Sequence, residues 1–273
     1  MLIYMIIKNS NNLSRPSKKF SSEGFFIKSI DDRKTINDIN SIIVKSNHGK
    51  IKDKKTFHLK SLKIQDNIYR NKYHIRILKN EFPLIKSLLK IKSLREIKIT
   101  SFVHLRAVKK NNKKTKKNFL GFHRETFYSD HDYTRHQINI SVALLNYNPK
   151  NSMKIIKGTH LIPDNKIITT KVNSNVSGVK KDSLEHKLGL PYNPKIIQSG
   201  VNLKKARRAN LRNGQMMVFS ALLIHGNGSN DQKYPRYSID FGIIKKKYLE
   251  GKKIKDHHIS YSQNKKYWID INQ

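Results

Sequence analysis

The chain is 273 residues long, enough for one domain with a sizeable core, and it contains no cysteine. A disulfide framework and any thiolate metal site are thereby excluded. Its 56 lysines and arginines against 19 acids give a net charge of +37, a balance that points to polyanions unless composition has another cause.

Residues 1–7 (MLIYMII) are apolar but too short to span a bilayer, and they lack the charged lead and cleavage site of a secretory signal. The expectation is a cytoplasmic protein with no membrane span. Asn, Ser and Lys dominate residues 8–22, so 1–22 reads as a disordered N-terminal segment. Residues 24–30 read as a strand. Between 31 and 46, Ile36, Ile39, Ile42 and Ile43 recur at helical spacing behind an Asp31-Asp32 start. The same pattern returns from Glu81 to Leu94, and Ile97 to Val108 alternates as a strand. The lysine-asparagine run at 109–117 is a loop leading into Asn118–Phe122, an apolar strand that Gly121 weakens. Further strands are expected at 138–145 and 153–157. Residues 165–210 are irregular and read as a long excursion, and 249–273 as a basic C-terminal extension. That leaves 23–248 as a single domain, with no internal repeat.

The clearest pattern lies further on. Asn213-Gly214 signals a turn, residues 215–224 run apolar, and His225 ends the run. A loop at 226–230 follows, and 237–243 returns as a strand, a hairpin that would set His225 and Arg236 on neighbouring strands of one sheet. Among twelve histidines, His123 alone has an acid two residues on, Glu125. About one such pair is expected by chance, so the motif alone is weak. On a strand, residues i and i+2 share a face, so His123 and Glu125 can reach one ion. Two imidazoles and one carboxylate make up the ligand set of a facial iron(II) site with open positions. Arg236, with Ser238 two residues on, can hold a carboxylate by a forked, charge-assisted contact.

In this order the residues resemble the phytanoyl-CoA dioxygenase-like family of iron(II)- and 2-oxoglutarate-dependent oxygenases. The matching stretches are GFHRETFY at 121–128, INISVALLNYN at 138–148, SMKIIKGTHLIPD at 152–164, and 211–243. The resemblance implies that His123, Glu125 and His225 ligate Fe(II) and that Arg236 and Ser238 bind the distal carboxylate of 2-oxoglutarate. O2 is the other co-substrate, and succinate and CO2 are released as a small metabolite is hydroxylated. The family more often has aspartate where this chain has Glu125. The implied fold is mainly β with flanking helices, a double-stranded β-helix (jelly-roll, cupin-like) barrel. The 165–210 excursion would then pass over the open end of the barrel.

Other histidines read more plainly. His131 and His136 flank a polar loop, His160 sits in a turn, and His257-His258 lies in the basic tail without a ligand partner. No HExxH, GxSxG or P-loop pattern occurs. The lysine runs, among them Lys109-Lys110, Lys113-Lys114 and Lys116-Lys117, are scattered, and Lys, Ile and Asn are enriched together, as AT-rich coding produces. No specific nucleic acid is therefore expected as a partner. The basic surface and the Arg207-Arg208 pair favour an anionic small molecule. Two alternatives stay open. One is a nucleic-acid demethylase, which usually has a second arginine six residues after the first, where this chain has Gly242. The other is a non-catalytic basic barrel of the cupin type.

Overall fold

In a computed structural model, residues 15–110, 121–128, 131–171, 195–254 and 266–271 are described. Helix α1 (Arg15–Glu23) and strand β1 (Phe25–Ser29) come first. Helix α2 (Arg33–Lys45) is capped by Asp32, whose carboxylate accepts from Thr35 N at 3.0 Å and Thr35 Oγ1 at 2.6 Å. Helices α3 (Lys54–Arg70), α4 (Tyr73–Asn80) and α5 (Phe82–Leu89) follow. The expected 81–94 helix is thus shorter. Lys90 turns left-handed at φ 50° and ends α5.

The strands are β2 (Ile97–Thr100), β3 (His104–Val108), β4 (Ile138–Ala143), β5 (Lys154–Ile155), β6 (Ile168–Lys171), β7 (Lys195–Ser199), β8 (Arg207–Arg208), β9 (Gln215–Ser220), β10 (His225–Gly226), β11 (Arg236–Lys245) and β12 (Trp268–Asp270). A major antiparallel sheet runs β1-β9-β4-β11-β2-β12, with β3 also on β11, and a minor sheet runs β10-β5-β8. Together they form a jelly-roll barrel with helices on the outer face of the major sheet. Strand alternation separates the two faces. On β4 and β11, Ile138, Ile140, Val142, Tyr237, Ile239, Phe241 and Ile243 join Ile36, Ile39, Ile68 and Ile77 of the helices in one core. The alternate residues, Asn139, Ser141, Ser238 and Asp240, face the barrel interior. A second apolar cluster, including Phe25, Met153, Ile155, Met217 and Phe219, fills part of the space between the sheets. Among the described residues, no helix is long and apolar enough to cross a membrane.

Several expectations need correcting. Residues 15–23 are helical, not disordered, because buried Phe20 anchors an otherwise polar helix edge-on to Phe26, with ring centroids 6.3 Å apart. Residues 1–14 lie outside the described residues, as do 111–120, 172–194 and 255–265. Ile97–Val108 is two strands, since the chain breaks at 101–103, where Ser101 N donates to Tyr267 O at 2.9 Å. The C-terminal segment is more than a basic extension. Strand β12 pairs with β2, and Trp268 is buried to 1% exposure. The excursion contains a β6-β7 hairpin, whose Ile197 packs with Ile167, Phe127 and Ile224. His225 and Arg236 are not on neighbouring strands. The apolar run bends after Ser220, so β10 crosses to the minor sheet while β4 separates β9 from β11.

One buried side chain works against this core. His74 is fully buried between Tyr69 and Phe241, and neither ring nitrogen has a hydrogen-bond partner among the described residues. Burial lowers its pKa from 6.5 to about 3, so it stays neutral in the fold and must lose its burial to gain a proton. His74→Leu should therefore stabilise the protein by about 1–3 kcal/mol in denaturant unfolding. Because the folded-state pKa is depressed, this group's contribution is complete above pH 6.5. It falls by about 1.4 kcal/mol per pH unit on acidification toward the folded pKa. The variant should lack that part of the acid slope.

Candidate metal centre

Two chain segments from different parts of the sequence meet at the barrel mouth. His123 N donates to His225 O at 2.9 Å and His225 N to His123 O at 3.1 Å, an isolated antiparallel bridge. Of the expected 118–122 strand, 118–120 lie outside the described residues, and Gly121 and Phe122 are not in a strand. After His123, Arg124 is extended (φ −113°, ψ 157°) and Glu125 opens a 3-10 turn through Phe127, with its N–H donating to Ala221 O at 3.0 Å. One extended residue is enough to keep His123 and Glu125 on one side and turn Arg124 to the other.

Each imidazole is fixed by its own backbone. His123 Nδ1 lies 2.9 Å from Gly121 O and His225 Nδ1 lies 2.9 Å from Leu223 O. A carbonyl only accepts, so both Nδ1 atoms carry the proton and both Nε2 lone pairs are left for a ligand role. Donor atoms of His123, Glu125 and His225 all lie within 4.8 Å of one another. His225 Nε2 and Glu125 Oε1 are 3.5 Å apart. With Nδ1 protonated, those two face each other lone pair to lone pair, an arrangement that calls for a cation between them. Burial, and then His225, push His123 down to about 3. For Glu125, burial acts upward, but His225, His123 and Arg106 together outweigh it and hold the carboxyl below its ordinary value. An imidazole kept neutral by burial and an ionised carboxylate are protonation states that suit a divalent metal. The triad can hold a metal ion.

The surrounding cavity is lined by Arg106, Gln137, Asn139, Asp240 and Tyr267 as well as the triad. Arg236 and Ser238 lie on the inward face of β11, the face that carries Asp240 and Gly242 into the cavity, but they are outside its lining. Arg236 is buried, stacks 4.8 Å over Tyr147 and donates from Nη2 to Gly228 O at 3.2 Å, while its Nε has no partner among the described residues. Gly228 is required there, since a Cβ would overlap the Ser152 carbonyl.

Other residues take structural parts. Arg124, fully buried, donates to Asp164 Oδ1 at 2.6 Å, to Ile162 O at 2.8 Å and to Thr159 O, so it pins the 159–164 turn. His160 Nε2 lies 3.0 Å from Ser21 O. His131 stacks on Tyr133 and His136 on Tyr248. His257 and His258 lie outside the described residues. Arg207 is turned to the carbonyls of Lys204 and Ala206, and Arg208 to Ser152 O and Ser229 Oγ, so neither faces the cavity. The sequence offered Arg106 and Arg124 only as substitutes for Arg236; it did not show the Arg106–Asp240 pair or Tyr267 in the site, nor Arg124 as a pin outside it. The alternation of HLRAV carried a signal for Arg106, because the polar positions of a strand packed on helices point inward.

No protein-family model matches the chain, and the comparison with curated proteins gives no match. Solved structures share its fold. EvdO2 from Micromonospora carbonacea var. aurantiaca, complexed with 2-oxoglutarate, superposes with a TM-score of 0.57 at 13% identity, over 85% of this chain and 90% of that one. The epimerase SnoN, in complex with Fe3+, alpha-ketoglutarate and nogalamycin RO, gives 0.52 at 15% identity, over 85% and 82%. EctD from S. alaskensis, with 2-oxoglutarate and 5-hydroxyectoine, gives 0.51 at 12% identity, over 86% and 78%. The class defined here is a jelly-roll barrel with a His-Glu-His metal triad at its mouth.

Two substitutions next to each other in sequence should separate chemistry from scaffold. Glu125→Ala should abolish high-affinity binding of a divalent metal, measured by calorimetry, with the fold intact. Arg124→Met should leave metal affinity within a few-fold yet destabilise the protein. The loss should fall near the lower end of about 3–5 kcal/mol, because its partner Asp164 is partly exposed.

Proposed function

We propose that the protein is an iron(II)- and 2-oxoglutarate-dependent oxygenase, similar to the phytanoyl-CoA dioxygenase-like family, that hydroxylates a small anionic metabolite. The observation that carries this reading is the convergence of His123, Glu125 and His225 with both Nε2 lone pairs free. Three ligands on one side leave the opposite side open, as activation of O2 at iron requires. When bound, iron and 2-oxoglutarate supply the oxidising chemistry, with succinate and CO2 as co-products.

The chain's own residues do the rest. Glu125 offsets the metal charge, and Gly121 O and Leu223 O keep the two rings in the ligating tautomer. Arg236 supports co-substrate binding: its guanidinium is buried, held at one end by Gly228 O, and keeps an unpaired Nε. A distal carboxylate is the partner such a group calls for, and Ser238 stands two residues along the same face. Phe219 lies edge-on to His225, with centroids 4.9 Å apart, and Tyr128 edge-on to His123 at 5.2 Å, so apolar surface screens both rings from bulk water. Gly242 supports a small-molecule substrate over a nucleic-acid one. Gly242 has no side chain to serve as the second arginine of the demethylase pattern, and Gln137 and Thr100 pack against it instead.

Anaerobic titration of the protein with Fe(II) and then 2-oxoglutarate should produce a visible metal-to-ligand charge-transfer band, and its absence would refute the assignment. Arg236→Ala should raise the 2-oxoglutarate concentration needed for that band by about a hundredfold or more, with iron affinity unchanged. Ser238→Ala removes one neutral hydrogen bond of about 1 kcal/mol and should shift the requirement by only about fivefold.

A further inference from the structure

Arg106 is a second guanidinium in the barrel, and unlike Arg236 it lines the cavity with the metal triad. Its Nε donates to Asp240 Oδ2 at 2.9 Å, and Asp240 is held in turn by Ser141 Oγ at 2.6 Å. These bonds fix the plane of the guanidinium through one of its five N–H groups. The two terminal amino groups donate to no described residue, although the side chain is only 33% exposed. A positioned fork of four unused N–H donors inside a cavity matches a carboxylate. In register Arg106 stands opposite Ser238, two positions deeper along β11 than Arg236, which stands opposite Val108. A carboxylate held at Arg236 therefore leaves the Arg106 fork for another group.

Beside Arg106 the cavity has an aromatic wall. Phe102 stands edge-on to His104 at 4.5 Å and to Tyr267 at 5.2 Å, and all three line the cavity. Such a wall favours a flat, weakly polar body packed against its faces and edges. We propose that Arg106 binds a carboxylate of the substrate, and that the substrate is a small organic acid with a planar body packed on Phe102, His104 and Tyr267. This deepens the oxygenase reading, naming the anion-binding group of the same cavity, and it rests on that reading for the position of the co-substrate.

The chain's only tryptophan, Trp268, lies edge-on to Tyr267 at 5.2 Å, so its fluorescence reports on the cavity. The test uses the full chain loaded with Zn(II), which prevents turnover, and saturated with 2-oxoglutarate. Benzoate is the probe and benzamide its neutral counterpart. Benzoate should quench Trp268 with an affinity about ten- to a hundredfold above that of benzamide. Arg106→Gln should erase this preference while moving 2-oxoglutarate affinity by less than about threefold. Arg106→Lys, which keeps the charge beside Asp240 but loses the fork, should retain part of it, and circular dichroism checks that both variants are folded. Equal binding of benzoate and benzamide by the wild type would overturn the proposal. So would displacement of 2-oxoglutarate by benzoate with loss of 2-oxoglutarate affinity in Arg106→Gln, which would make Arg106 the co-substrate anchor. If the wild type binds no 2-oxoglutarate but keeps an Arg106-dependent benzoate preference, the oxygenase reading falls and the carboxylate site stands.

Discussion

Two backbone hydrogen bonds, exchanged between His123 and His225, hold the rest of the site in place. They join a loop that enters the barrel after the helices to a two-residue strand of the minor sheet. Because each peptide donates to the other, the two Cα atoms are locked in register, and the rings follow, with centroids 4.4 Å apart. Each ring then takes its tautomer from a carbonyl two residues upstream, so side-chain orientation is inherited from backbone geometry alone. Glu125 joins through a third backbone bond, to Ala221, and no ligand depends on a long unsupported side chain.

The major sheet gives this arrangement a stiff floor. Its outer face is aliphatic and buried under helices, while its inner face carries Asn139, Ser141, Ser238 and Asp240 into a partly polar interior. Burying such groups is costly unless they are paired. Part of that pairing is internal: Gln137 Nε2 donates to Asn139 Oδ1 at 2.5 Å, and Ser141 and Arg106 converge on Asp240. Two donors of this inner face, Asn139 Nδ2 and Arg236 Nε, are buried without a partner among the described residues. A ligand held on this inner face can supply what those two donors lack.

Much of this was legible in the sequence wherever one period held over a whole element. Strands β4 and β11 alternate cleanly, and α2 begins at Asp32 with isoleucines at helical spacing, so all three were readable. The His123-x-Glu125 and His225 pattern survived although its local structure was misread, because one extended residue reproduces the geometry of a strand. What stayed hidden depends on contacts distant in sequence. The switch of β10 to the minor sheet is set by its pairing with Ile155, and β12 is recruited by β2. Helix α3, Lys54–Arg70, mixes lysines with its apolar positions and shows no clean stripe. Arg124 looks like any exposed cation in sequence, and only the turn around Asp164 makes it a buried pin.

The placement of the two histidines has one more consequence. They are about a hundred residues apart in sequence yet neighbours across one antiparallel bridge. A covalent link closing a loop of that length would remove about 4.7 kcal/mol of denatured-chain entropy. An ion shared by His123, Glu125 and His225 would act as a reversible rivet of the same span, adding stability in proportion to the logarithm of free metal over its dissociation constant. The lifetime of the folded chain, and not only its catalytic competence, would then track the supply of the metal.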